Sequence, residues 1–289
     1  MSYRSVFRPD LFAGRNIIVT GGGSGIGRCT AHELASLGAQ VILIGRKDDK
    51  LKKVQQEIQE DSGKAIWFTC DIREEDSVKV TVGEIFKSVG QVHGLVNNAG
   101  GQFPSPLAFI SQKGWETVVR TNLTGGFLMA REVFMQGMNK TGGSIVNIVA
   151  DMWGGMPGMG HSGAARAGMV NLTQTAAFEW GCAGVRVNAV APGWIASSGM
   201  DTYPESFKST IKTLRAAVPL KRMGEEAEVS GAIAFLLSDA AAFISGDTLR
   251  IDGAASQGNI AIFPLPDHNN SKPFDGFHRA VTPDLFKDN

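Results

Sequence analysis

The chain has 289 residues, with 28 basic and 28 acidic side chains, so its formal charge balances at zero. Neither a nucleic acid nor an anionic membrane is therefore expected as a partner. With 43% hydrophobic and 19% charged residues it has the make-up of an ordinary globular chain, long enough to bury a large core without metals or disulfides. The three cysteines, Cys29, Cys70 and Cys182, have an odd count and no C-x-x-C spacing, which argues against a disulfide framework and against a zinc site. No bound metal is expected. No apolar run approaches a membrane span, the N-terminus lacks a leader pattern, and the final Phe286-Lys287-Asp288-Asn289 is not a peroxisomal address, so a cytoplasmic location is expected.

In chain order, apolar runs at Asn16–Thr20, Gln40–Ile44, Ala65–Phe68, Gly94–Val96, Gly143–Val149, Val185–Val190 and Thr248–Ile251 read as strands. Their hydrophobicity is nearly continuous rather than alternating, the mark of strands buried on both faces. Helical patterns fall between them at Gly25–Leu37, Asp48–Gln59, Glu74–Ser88, Trp115–Gln136, Ser162–Gly181 and Glu226–Ser238. This alternation predicts an α/β fold, a single doubly wound Rossmann domain with a seven-stranded parallel sheet and helices on both faces. The domain is expected over residues 1–256. An insertion at about 195–218 reads as a substrate lid. Residues 257–289 form a C-terminal extension rich in Pro, Asn and Asp, expected either to be partly disordered or to pack on a neighbouring subunit.

The turn Thr20-Gly21-Gly22-Gly23-Ser24-Gly25-Ile26-Gly27 follows a strand and opens a helix. Glycines there permit a tight turn and let backbone N–H groups approach phosphate oxygens at the positive end of the helix. After the second strand, an NAD site would place an acid for the ribose hydroxyls; this chain has Gly45-Arg46-Lys47, two cations suited to a 2′-phosphate. NADP(H) is therefore the expected cofactor. Asp71 and Ile72 end the third strand, where the carboxylate can accept the adenine amino group. Asn98, Ala99 and Gly100 end the fourth, Asn98 bridging strands and the small residues leaving room for a ribose.

Together with Ala191-Pro192-Gly193-Trp194-Ile195, these motifs resemble the short-chain dehydrogenase/reductase family over roughly residues 12–254. The resemblance implies that Pro192, Gly193 and Ile195 face the nicotinamide carboxamide, that Ser197 lies near the pyrophosphate, and that Ser24 and Ile26 contact phosphates. It also implies a dimer or tetramer formed through the helices near Trp115–Gln136 and Ser162–Gly181.

The family's Asn-Ser-Tyr-Lys tetrad is largely absent. Asn122 matches the Asn, but the Ser slot falls on Ala150, the Tyr slot on Ser162 and the Lys slot on Arg166. Arg166 stays protonated, so it can hold ribose hydroxyls or an oxyanion but cannot act as a base. Alcohol oxidation needs a base; reduction of an activated C=C needs mainly an electrostatic stabiliser at the enolate oxygen and a modest proton donor. The run His161 to Gly168 is similar to peroxisomal-type trans-2-enoyl-CoA reductases, and the related 2,4-dienoyl-CoA reductases also depart at the Tyr slot. Val170-Asn171-Leu172-Thr173-Gln174 departs from the Tyr-Asn-Leu-Thr-Lys run that some of those enzymes carry.

Three further polar residues have two readings each. His161 is either a donor to the enolate or to a CoA phosphate, or a surface or capping histidine. Asp151 either steers a water or orients His161, or is a solvated loop carboxylate. Tyr203 in the lid reads as a packing aromatic before it reads as a donor. The loop Met152–Gly160 suggests an adaptable apolar pocket. The leading expectation is NADPH-dependent reduction of an enoyl-CoA thioester. The alternatives are an alcohol or carbonyl dehydrogenase of lipid or acyclic terpenoid catabolism, and an NADP(H)-binding protein without catalysis.

Overall fold

The computed structural model describes residues 2–259 and 262–287; Met1, the pair 260–261 and the last two residues of the expected extension lie outside the described residues. Nine strands and nine helices follow in chain order among these residues. They are β1 (Asn16–Thr20), α1 (Gly25–Ser36), β2 (Gln40–Gly45), α2 (Asp48–Glu60), β3 (Lys64–Thr69), α3 (Glu75–Val89) and β4 (Gly94–Asn97). Then come α4 (Gln112–Val119), α5 (Gly125–Val133), the single turn α6 (Asn139–Thr141), β5 (Gly143–Ile148), α7 (Gly160–Trp180) and β6 (Val185–Pro192). The last are β7 (Ile195–Ala196), α8 (Glu205–Leu214), β8 (Gly224–Glu225), α9 (Glu226–Leu237) and β9 (Thr248–Ile251).

Seven strands form one parallel sheet in the order β3-β2-β1-β4-β5-β6-β9, as the alternation predicts. Its central strands are water-free because both faces are covered. Val19, Val41 and Leu43 point into a core shared with α1, α2 and α9, whereas Ile18, Ile42 and Leu95 point into one shared with α3 and α5. The strand order reverses between β1 and β4, which opens a crevice beyond their carboxyl ends, the place where doubly wound sheets hold ligands.

The helix expected from Trp115 starts earlier, at Gln112, because Ser111 accepts a hydrogen bond from Gly114 N–H and caps it. It is not continuous. Wide π turns at Arg120–Thr124 and Phe134–Met138 interrupt it, and the first of them carries Asn122. The expected lid contains β7 and α8, and β7 pairs with β8 outside the main sheet.

The extension departs most from expectation. Several of its described residues pack along their own chain. Arg4 N–H bonds Gly276 O at 2.9 Å, and Phe277 is buried with Tyr3, Cys29 and Ala227. The Arg28 guanidinium lies 5.0 Å from the Phe277 ring centroid and donates to Arg279 O, while Arg279 pairs with Glu60 and Asp61. Farther on, Leu285 packs with Met200 and Ile211 of the expected lid, and Asp284 N–H bonds Asp201 Oδ1. The overall composition of this stretch hides the few residues that do the anchoring. No helix among the described residues is long and apolar enough to cross a membrane.

Candidate active site

The glycine turn between β1 and α1 is closed by contacts that leave no room for side chains at Gly21, Gly22 and Gly27. Gly21 and Gly25 have φ of +66° and +57°, which only glycine adopts without strain. A Cβ on Gly27 would lie 2.3 Å from Asn98 Nδ2 and 2.5 Å from Gly21 O. Asn98 Nδ2 donates to Thr20 O at 2.9 Å, and Thr20 Oγ1 accepts from the backbone N–H groups of Asn98 and Ala99. The end of β4 thus holds the turn in shape. Ser24 is exposed and precedes the first turn of α1 without its side chain capping it, which leaves first-turn N–H groups without an intrahelical partner. This cradle suits a pyrophosphate.

Arg46 and Lys47 are exposed just beyond β2, beside this turn. Asp71, expected at the adenine, has both carboxylate oxygens engaged by Arg73, and those bonds hold its carboxyl below the usual range. Ile72 is buried against the start of α5, where a Cβ on Gly125 would meet it at 2.6 Å. Glu226, at the start of α9, sits 3.9 Å from where a Gly25 Cβ would lie. Burial pushes its carboxyl up to about 7, against the pull of Arg28.

A cleft of about 540 Å³ opens beyond β4, β5 and β6. Ile26, Asn98, Gly100, Pro192, Gly193, Ile195 and Ser197 lie along it, together with Ala150, Asp151 and Arg166. Arg166 donates from Nη1 to Ile148 O at 2.6 Å, while its Nε is buried without a partner. Desolvation lowers the guanidinium to about 10, which leaves it a cation at neutral pH. A Cβ on Gly100 would be 2.7 Å from both Arg166 Nη2 and Asn122 Oδ1, so the backbone must be bare there. Asn122 spends both ends of its amide on Gly101, accepting from N–H at 2.9 Å and donating to O at 2.7 Å. It braces the loop after β4.

The remaining candidates separate. Asp151 lines the cleft, and burial followed by the nearby Asp252 raises its carboxyl. His161 does not line it. That ring is fully buried, edge-on to Phe103 at 4.5 Å, with Nδ1 accepting from Ser162 N–H. No hydrogen bond joins it to Asp151 among the described residues. Ser162 is also fully buried and donates from Oγ to Gln102 Oε1 at 2.6 Å. The other end of that amide, Gln102 Nε2, donates to Tyr203 Oη at 3.0 Å. Gln102 carries no motif signal, being one polar residue in a glycine-rich loop, and Tyr203 stands 101 residues away from it. Of the methionine-rich loop, Met156, Pro157 and Met159 line the cleft, whereas Trp153 turns away to stack under Arg250 at 3.9 Å.

Residues 21–256 match the family model described as Enoyl-(Acyl carrier protein) reductase. The chain is a short-chain dehydrogenase/reductase. This oxidoreductase is similar to a solved citronellol catabolism dehydrogenase (AtuB) of Pseudomonas aeruginosa PAO1. They share 67% identity with a TM-score of 0.81, over 88% of this chain and 100% of that one. A probable 2,4-dienoyl-CoA reductase of Bacillus subtilis is 37% identical, over 82% of this short-chain dehydrogenase/reductase and 94% of the relative. Glucose 1-dehydrogenase of Gluconobacter oxydans is 40% identical over 84% and 92% respectively. The family binds NAD(P)(H), and the glycine cradle fits such a cofactor.

Proposed function

We propose that this oxidoreductase uses NADPH to reduce a carbon–carbon double bond conjugated to the carbonyl of an apolar acyl thioester. One observation carries the reading. The helix position where the family keeps its proton-transferring phenol holds Ser162, whose own proton is committed to Gln102, and the position one turn on holds the cation Arg166. That pair lacks a base for an alcohol but suits a reaction in which negative charge gathers on an oxygen. The apolar lining from Met156, Met159, Met200 and Trp194 supports a hydrocarbon chain over a sugar.

In this reading Gly21, Gly23, Gly25 and Gly27 with Ser24 and Ile26 hold the pyrophosphate. Arg46 and Lys47 hold the 2′-phosphate, and Asp71, Ile72, Asn98, Ala99 and Gly100 surround the adenosine. Pro192, Gly193, Ile195 and Ser197 position the nicotinamide end. NADPH, when bound, supplies a hydride. Arg166 offers its Nη2 to the ribose hydroxyls, and its charge stabilises the enolate oxygen. Asn122 fixes the loop that carries Gln102, and Asp151 lines the mouth with a raised carboxyl suited to handling a water's proton. His161 supports Ser162 from beneath.

Mixing the protein with NADPH and a panel running from crotonyl-CoA to decenoyl-CoA, with methyl-branched terpenoid analogues, tests this. Oxidation of NADPH by at least one member is expected; none across all chain lengths sinks it. A second reading, oxidation of an acyclic terpenoid alcohol, is favoured by the 67% identity to the citronellol catabolism dehydrogenase. Turnover of citronellol with NADP⁺ and silence toward the enoyl panel would select it.

We also infer a homodimer or homotetramer built on the helices around α5 and α7, where Met135 and Phe178 are 61% and 91% exposed. Sedimentation velocity checks that assembly.

A further inference from the structure

We propose that Tyr203, oriented by a Tyr203–Gln102–Ser162 hydrogen-bond relay, is the catalytic proton donor of this enzyme. This rests on the reductase reading above and names the group that reading leaves open.

The chain contains two tyrosines. Tyr3 lies away from the cleft, bonded to Glu33 and Ser230 and packed under Phe277, and burial together with neighbouring Cys29 and Glu33 pushes its phenol far up. Tyr203 lines the cleft together with Arg166, in the same cavity as Ile148, Val149 and Pro192. Its ring is held from behind by Phe207 at 5.3 Å, which fixes where the hydroxyl points. Packing and chemistry are therefore not alternatives at this residue.

The direction of the hydrogen bonds decides which hydroxyl has a proton to give. Ser162 Oγ donates to Gln102 Oε1, so its hydrogen is occupied and the oxygen is fully buried. Gln102 Nε2 can only donate, so Tyr203 Oη accepts there and keeps its own O–H free. Ser162 is then a positioning residue, holding the Gln102 amide in the orientation that leaves the Tyr203 proton available. Arg166, Gln102 and Tyr203 line the same cavity, the first stabilising negative charge and the last supplying the proton.

The step balances with the hydride of NADPH and one proton drawn from solvent. Hydride addition to the β-carbon leaves an enolate. The electron pair of that enolate forms the new C–H bond at the α-carbon as the Tyr203 O–H bond breaks. The phenolate regains a proton from water at the half-buried lid.

Tyr203→Phe is the deciding variant, because it keeps the ring packed on Phe207. On the best substrate of the panel we expect kcat to fall at least ~100-fold, with NADPH affinity by fluorescence titration within about twofold. Ser162→Ala and Gln102→Leu are expected to lower kcat about tenfold with little change in KM. Activity of Tyr203→Phe within about threefold of wild type overturns the proposal. A second readout needs no turnover. The tyrosine Fermi doublet in the Raman spectrum of the cofactor-free protein reports whether a phenol oxygen accepts a hydrogen bond. With Tyr203→Phe as the blank, Gln102→Leu is expected to change it, and an unchanged doublet overturns the relay. Wild-type silence toward every enoyl thioester would instead overturn the reductase reading, and the Raman result then decides the relay by itself.

Discussion

Replacing Arg166 with Met separates what this side chain does for stability from what it does for the cofactor. The guanidinium is partly desolvated with one protein hydrogen bond, to Ile148 O, and an unpartnered Nε. Its lowering from 12.5 to about 10 corresponds to a cost of at most about 3 kcal/mol at neutral pH, less because the cleft side is open to solvent. Against this, the charge-assisted bond to Ile148 O contributes about 1.5–3 kcal/mol. The two nearly cancel, and Met fills a similar volume, so the melting temperature of the cofactor-free protein should move by only about 2–4 °C. Cofactor binding should respond quite differently. Loss of the bonds to the ribose hydroxyls is expected to raise the Kd for NADPH by roughly 10- to 100-fold. Differential scanning fluorimetry of the cofactor-free variant and fluorescence titration with NADPH measure the two sides. A Kd within about twofold of wild type, or a melting temperature lower by more than about 8 °C, would refute the reasoning, since either would make Arg166 a structural residue.

Gly27→Ala places a Cβ 2.3 Å from Asn98 Nδ2, and we expect it to weaken NADPH binding by at least ~100-fold, while Gly231→Ala, with nothing within 4 Å, serves as the neutral control. Glu226 costs nothing below its ordinary value of 4.5, where the carboxyl is protonated folded or unfolded. The cost grows as pH rises toward about 7 and reaches up to about 3 kcal/mol above it. Glu226→Gln should therefore raise the melting temperature at about pH 8 and leave it nearly unchanged at about pH 4; equal increments at both would contradict this. Phe277→Ala empties a site 2% exposed and should cost about 3–5 kcal/mol in urea unfolding; an unchanged midpoint would show that the extension is not anchored there.

The sheet was legible because its strands are short, β-branched and apolar throughout, and nothing but a doubly covered parallel sheet buries such runs. The cofactor turn was legible for a related reason. Its chemistry is local, and glycines at Gly21, Gly25 and Gly27 have few other uses after a strand. The cleft was less so. Gln102, Ser162 and Tyr203 come from three separate segments, and no spacing in the chain announces that one amide joins them. His161 looked available because it borders the altered slots, but the helix turns its ring inward beneath Phe103. The π turn at Asn122 escaped a 3.6-residue pattern, since an extra residue in one turn barely disturbs the hydrophobic stripe.

The C-terminal extension has a consequence for how the enzyme comes into being. Leu285 packs with Met200 and Ile211, and Asp284 ties to Asp201, so the segment around Asp201 rests on residues made 83 positions after it. The cofactor turn is complete once β4 has paired, some two hundred residues earlier in synthesis. A nascent chain can thus hold its cradle long before Tyr203 has a floor to stand on.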